Sequence, residues 1–455
     1  MIKKLKNIFV CSECGFESVK WNGICPSCGQ GNTMNEEIKE VSHSNKVKTI
    51  NKISPPEHLA SIDISNEIRY KTNVEEFDRI FGGGIVKGSL VLIGGAPGIG
   101  KSTILLQMCN FLNNNLKIFY ISGEESKKQI KLRASRLNIK NQNLYIITST
   151  DIESIAAEIK SSKPDIVIID SIQTMNHQEL NSLPGSIVQV RECTNILLKT
   201  AKSSEIPILI ISHVNKDGAI AGPKVLEHIV DVVSYFEGDD QTSYRILRAV
   251  KNRYGSTNEI GVFQMTNDGL EEVKNPSLML LSGRPIGVSG ICIACIMEGS
   301  RPLFTEVQGL VSSTNFGNPR RMSTGFDYNR LCLILAVLEK RAGYFFSNMD
   351  CYVNIVGGLK LNEPSADLSV ALSLISALKN SPLQNDTVAI GEIGLAGEIR
   401  PVSNLEMRIS EADKLGFNHV IVPYYNLKSI ENINKYKIKI TGVKNIREAF
   451  LSGCT

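Results

Sequence analysis

The stretch Gly95-Ala-Pro-Gly-Ile-Gly-Lys101-Ser102 (GAPGIGKS) decides the fold. It matches GxxxxGK(S/T), a loop in which successive backbone N–H groups surround phosphate oxygens at the start of a helix. The context suits that mechanism. A β-branched apolar run (SLVLIG) leads in, and an apolar helical run (TILLQMCNFL) leads out. Gly95, Ala96, Pro97, Gly98, Ile99 and Gly100 are candidates to line the phosphate site with their backbone. Lys101 is placed to meet the β and γ phosphates. The Ser102 hydroxyl is a candidate Mg²⁺ ligand, with Thr103 beside it, and the nucleotide expected is ATP.

Further along, apolar runs alternate with helical patterns. KIFYISG, PDIVIID, IPILIIS and VVSYFEG follow the first strand. That rhythm predicts a mostly parallel sheet covered by helices over residues 66–275. The strand IVIID ends in Asp170, a carboxylate placed to reach the same metal as Ser102. A second carboxylate is needed to activate water, and YISGEE offers two, Glu124 and its rival Glu125. His213 ends the strand ILIISH, where either a γ-phosphate sensor or a purely structural histidine fits.

The N-terminus carries a different chemistry. Cys11-x2-Cys14 and Cys25-x2-Cys28 each end at glycine, and two such knuckles can hold Zn²⁺ tetrahedrally. Residues 1–30 read as a C4 zinc module too small for a core of its own. Its folding and metal binding are then one event, with about 10–16 kcal/mol of apparent binding energy. A polar stretch containing Pro55-Pro56, residues 31–65, reads as a linker. Eleven cysteines are an odd number, and most sit in apolar surroundings, which suits a reducing cytoplasm better than a disulfide framework. Cys292 and Cys295 lie in a strand-like apolar run and read as buried hydrophobes. No apolar run approaches the ~20 residues that span a bilayer, so no membrane is expected as a partner. The net charge of +4 neither demands nor excludes nucleic acid.

From residue 284 to 455 the texture changes to antiparallel strands and two helical segments, NRLCLILAVLEKRAG and SADLSVALSLISALK. This is a second, α+β domain. Just before its last apolar helix stands NEPSADL, residues 362–368. Ser365 there fits two readings, a nucleophile at a helix start or an N-cap.

The order of these motifs, a four-cysteine module, GGAPGIGKST, YISGEES, VIIDSIQT, ISHVNKDG and KNRYG (Lys251 to Gly255), resembles the bacterial RadA/Sms family of DNA repair proteins. The likeness runs from Cys11 almost to the C-terminus. It implies a RecA-like ATPase core, a hexameric ring, binding of single-stranded and branched DNA, and ATP-driven branch migration of intermediates made by RecA. It also implies Glu124 as the catalytic glutamate. KNRYG corresponds to the family's KNRFG, which makes Lys251 and Arg253 candidates to act on a neighbour's ATP or on DNA. A trans arginine is worth roughly 10³–10⁵ in rate. The loops 177–191 and 214–224 become pore candidates, with Arg191, Lys216 and Lys224 as phosphate contacts or plain exposed cations.

The C-terminal domain resembles the Lon protease domain. Ser365 takes the nucleophile's place, and a GEI hairpin is present as residues 391–400. The general-base lysine of that family is expected at the position of Glu406, and a glutamate cannot pair with the serine as an amine would. Two functions of different class thus follow, an ATP-driven DNA motor with a Lon-like scaffold and an ATP-dependent serine protease, and the missing lysine favours the first. A KaiC-like, non-translocating ATPase is a third reading.

Overall fold

Six consecutive residues, Leu90–Gly95, are fully buried, because this strand lies in the middle of a sheet covered on both faces. The computed structural model describes residues 5–12, 15–40, 58, 69–180, 182–213, 223–238, 244–257, 259–314, 317–430 and 432–454. It divides into two units, Met1–Lys274 and Asn275–Thr455.

The first unit is built on a nine-stranded sheet. Its order is Gly269–Glu272, Ile260–Thr266, Tyr244–Asn252, Val232–Glu237, Leu90–Gly95, Ile208–His213, Ile166–Asp170, Ile118–Ser122 and Leu144–Thr148. The six strands from Val232–Glu237 onward pair in parallel, and the three before it are antiparallel. The Asp170 strand is separated from the P-loop strand by the His213 strand. Two apolar clusters cover the faces. One holds Phe77, Ile93, Leu105 and Phe263. The other holds Leu92, Ile169, Val190 and Leu197.

The zinc module continues past residue 30. Strand Leu5–Cys11 pairs with Met34–Glu40 along its whole length, so residues 34–40 belong to the module's sheet and not to a linker. The strand's pattern is hidden in sequence because NEEIKE is almost entirely polar. Ile8 and Val10 from this sheet join the same buried cluster as Met175, Ile187, Val188 and Val190.

The second unit has a mixed seven-stranded sheet, Arg321–Thr324, Met349–Ile355, Arg301–Ser313, Ile291–Glu298, Thr387–Ala389, His419–Pro423 and Lys439–Val443. The apolar helix Asp367–Lys379 packs on its central strands. Cys292 and Cys295 are buried in the strand Ile291–Glu298, and burial pushes both thiols up to about 12, consistent with inert packing.

One buried charge ties the far end of the first unit's sheet together. Asp231 is 1% exposed. Its carboxylate accepts from the Leu90 amide at 3.0 Å, Lys202 Nζ at 2.8 Å and Arg253 at 3.2 Å. Asp231→Ala leaves the buried Leu90 N–H without an acceptor. The expected loss is about 1–3 kcal/mol, read as a lower denaturant midpoint for the N-terminal unit.

Candidate nucleotide and metal sites

The carboxyl ends of four parallel strands converge on one place. The P-loop strand ends at Gly95, where φ is 154° and an added Cβ would stand 2.7 Å from the Phe236 carbonyl, so only glycine fits. The loop closes at Gly100, left-handed at φ 110°, and the helix Lys101–Phe111 begins there. Lys101 is 3% exposed, and its Nζ donates to the Gly95 and Ala96 carbonyls at 2.8 Å each. Burial lowers its pKa to about 8, against the opposing pull of Asp170 and Glu124. Ser102 and Thr103 follow in the first helical turn, half-buried at the loop mouth.

Asp170 ends its strand almost fully buried and accepts from Tyr120 Oη at 2.5 Å. Burial and the Asp170 carboxylate raise the tyrosine well above its usual range, so it stays a neutral donor. A hydroxyl from Ser102 and a carboxylate from Asp170 form an oxygen donor set that suits Mg²⁺.

The two neighbouring glutamates go different ways. Ser122 Oγ accepts from both of their backbone amides, at 3.3 and 3.1 Å. A capping box of Ser126 and Gln129 then starts the helix Lys127–Arg136. In that turn Glu125 forms an ion pair with Arg133. Glu124 meets a different pair of residues. Its Oε1 accepts from Ser171 Oγ at 2.5 Å and lies 3.4 Å from His213 Nε2. The His213 contact, then Ser171, hold its pKa down to about 2 against desolvation. The residues alone left the pair open because both glutamates follow the strand within one turn; the partners of Glu124, Ser171 and His213, are remote in the chain.

Lys251 and Arg253 do not join this site. Gly95 is level with Phe236, whereas Lys251 pairs with Val233, which is level with Leu92, and Arg253 meets Asp231 beside Leu90. Arg253 is therefore about 16 Å from Gly95 along the strand, at the opposite end of the sheet. Lys251 Nζ is spent on the carbonyls of Glu227 (2.6 Å) and Val230 (2.9 Å). The Arg253 side chain is 55% exposed.

At the metal module, Cys11, Cys25 and Cys28 place their sulfurs within 4.8 Å of one another. Gly15 and Gly29 amides turn back onto the Cys11 and Cys25 carbonyls at 2.9 Å each. Three converging thiols on two tight knuckles suit a structural zinc site. Cys14 lies outside the described residues, as does Lys216, and the Lys224 side chain is likewise undescribed. Arg191 is committed elsewhere: its guanidinium donates to the Gly15 carbonyl at 2.8 Å.

The Lon-like site differs from the sequence reading in two respects. Ser365 is no N-cap. It sits inside a short 3₁₀ turn, Pro364–Ala366, and its Oγ donates to the Cys295 carbonyl at 3.2 Å. The residue facing it is Arg408, not Glu406. On the helix Leu405–Lys414 the two positions are two residues apart and point to opposite sides. Glu406 pairs outward with Lys435 and Tyr436. Arg408 is fully buried and donates to Ser365 Oγ at 3.1 Å and the Cys295 carbonyl at 2.8 Å, with Glu363 as its counter-ion. A guanidinium stays protonated and cannot take the serine's proton. Local spacing carries no signal for Arg408, because its partners Ser365, Cys295 and Glu363 lie on other elements.

Three family models match the chain. A AAA domain matches residues 55–219, a rubredoxin metal-binding domain matches 9–36, and a model for subunit ChlI of Mg-chelatase matches 332–426. Over nearly the full length the chain is similar to curated relatives described as DNA repair protein RadA. That from Bacillus subtilis is 50% identical over 98% of each chain. That from Listeria monocytogenes is 50% identical over 97% of this chain and 96% of its own. That from Streptococcus pyogenes is 48% identical over 94% and 95%. Among the described residues no helix is long and apolar enough to cross a membrane.

Two outcomes follow from the geometry. Glu124→Gln should lower ATP turnover about 10²–10⁴-fold with nucleotide affinity retained, and Glu125→Gln should stay within a few-fold; steady-state turnover beside equilibrium nucleotide binding separates them. Lys101 loses its proton near about 8 when no phosphate faces it. Phosphate charge favours the protonated form, so binding above that pH takes up a proton. ATP affinity should therefore fall as pH rises past 8, and Lys101→Ala, weaker throughout, should lack that slope in a titration series.

Proposed function

This chain belongs to the RadA family of DNA repair proteins, and from that premise we propose that it is a DNA-dependent ATPase that drives branch migration of recombination intermediates. Its matched AAA domain and P-loop make it an ATP-hydrolysing enzyme. Single-stranded and branched DNA, joint molecules made by RecA, and a cytoplasmic setting complete the reading.

The observation that carries the motor reading is the division of the site between two ends of one sheet. Lys101, Glu124 and Asp170 share one end, and Arg253 stands at the other. An arginine so far from its own P-loop can reach a γ-phosphate only by completing a neighbour's site. Such a head-to-tail contact closes into a ring, and six subunits is the number we propose.

In this mechanism Gly95 to Gly100 present backbone N–H groups to the phosphates, and Lys101 balances the charge on the β and γ oxygens. Ser102 and Asp170 would hold Mg²⁺, which would supply charge neutralisation at the phosphates. Glu124, ionised and oriented by Ser171 and His213, accepts a proton from the attacking water. His213 directly precedes the candidate DNA loop 214–224, so in this reading the state of Glu124 is coupled to that loop through one residue. Arg253 of the neighbouring subunit stabilises the charge that develops on the transferred group. Lys251 holds Arg253's strand end in place by binding the Glu227 and Val230 carbonyls.

The protease reading loses its support at Arg408. Ser365 Oγ accepts from a permanently charged donor and gives its own proton to a carbonyl, and neither partner is a base that could activate it.

Branch migration of a RecA-made joint molecule tests the whole reading. Wild type should extend the joint in an ATP-dependent way, whereas Lys101→Ala and Arg253→Ala should not; an active Arg253→Ala refutes the trans role. A mixing experiment is more specific. Neither variant hydrolyses ATP alone, but random co-assembly completes about a quarter of interfaces and should restore turnover to that share. Casein cleavage that requires Ser365 would instead support the protease.

A further inference from the structure

The long helix Ile187–Ser204 begins with two side chains that reach in different directions. Gln189 is fully buried and gathers the preceding loop onto the helix. Its amide nitrogen points to the Asn176 side chain (3.0 Å) and the Ser182 carbonyl (3.0 Å), and its oxygen accepts from the His177 amide at 2.9 Å. Two residues later, Arg191 reaches across to the zinc module and donates to the Gly15 carbonyl at 2.8 Å. Gly15 directly follows the first knuckle, and its own amide closes that knuckle on the Cys11 carbonyl.

The apolar contacts repeat this arrangement. Ile8 and Val10 of the module share a buried cluster with Met175, just before the loop, and with Ile187 and Val188, just after it. Residues at both ends of the loop over residues 176–186 therefore belong to the apolar cluster that the module's strand joins. Among the described residues the module's own core is Cys11, Cys25 and Met34, with Phe9 and Phe16 packed against it. A core this small holds its shape through its metal.

We propose that Arg191 is a positioning residue through which the zinc knuckle fixes the conformation of the 176–186 loop. With the knuckle held, the Gly15 carbonyl is aimed at the guanidinium and the first turn of the helix is pinned. Gln189, on that same turn, then holds the loop in one arrangement. Without metal the carbonyl loses its orientation, Arg191 loses this acceptor, and the Ile8 and Val10 contacts loosen at both ends of the loop. That the loop then meets DNA rests on the proposed function; its ordering by the module does not.

Amide hydrogen exchange on the full-length protein tests this, with zinc content measured in parallel. Removing zinc with a chelator should raise exchange over 176–186 by about fivefold or more, and Arg191→Ala should do the same with zinc retained. Chelation of the Arg191→Ala protein should add little, because both changes break one linkage. Arg191→Lys, which keeps a donor on a flexible stem, should recover part of the protection. In ATPase assays Arg191→Ala should raise the DNA concentration for half-maximal stimulation several-fold, with turnover in the absence of DNA unchanged. Failure of that assay alone counts against the DNA reading. Unchanged exchange in zinc-free wild type, or in zinc-loaded Arg191→Ala, overturns the proposal. If Arg191→Ala does not retain zinc, Arg191→Lys decides: exchange near wild type supports the linkage, and exchange at the zinc-free level overturns it.

Discussion

Parallel pairing is the constraint on which the catalytic unit depends. Strands that run the same way deliver their carboxyl ends to one edge, so residues far apart in the chain meet there without any local motif joining them. Gly95, Ser122, Asp170 and His213 all end such strands. The loops that follow carry Glu124 and Ser171 into contact, within electrostatic reach of Lys101. The strand Tyr244–Asn252 runs the other way, and its end, with Arg253 beyond it, is delivered to the opposite edge. One reversal of direction thus places Arg253 at the opposite end of the sheet from the P-loop of its own chain.

Buried charge does two different things in this protein. Asp231 joins a backbone amide in the sheet to two cations near its rim, so its desolvation is offset by three donors and it fixes where the Arg253 strand ends. Arg408 is buried inside the second unit with a carboxylate, a carbonyl and a hydroxyl around it. A guanidinium at that place is a permanent donor and not a proton acceptor.

The glutamate pair and the zinc module show what kinds of information were legible in sequence. Periodicity marked the five central strands, because each is apolar throughout, and motif spacing marked the P-loop and the cysteine knuckles. The polar strand Met34–Glu40 carried no such signal, since its residues are almost all polar, and it read as linker. Glu124 was the favoured candidate with Glu125 as its rival, and their partners differ, His213 for one and Arg133 for the other. Ser365 read as a cap because proline and an apolar run follow the pattern of a helix start, yet its hydroxyl is claimed by a carbonyl from a distant strand.

The sequence by itself determined the chemistry available: a phosphate-cradling loop, a buried carboxylate strand, thiols at metal spacing, and a serine without its lysine. Those follow from residue type and local spacing, which the chain carries in every conformation. Tertiary structure decided which of the equivalent groups is used, which arginine faces the serine, that Arg191 holds the metal module rather than solvent, and that Arg253 stands a strand's length from the P-loop. The reason is physical: burial, counter-charge and direction of pairing exist only once distant segments are packed together.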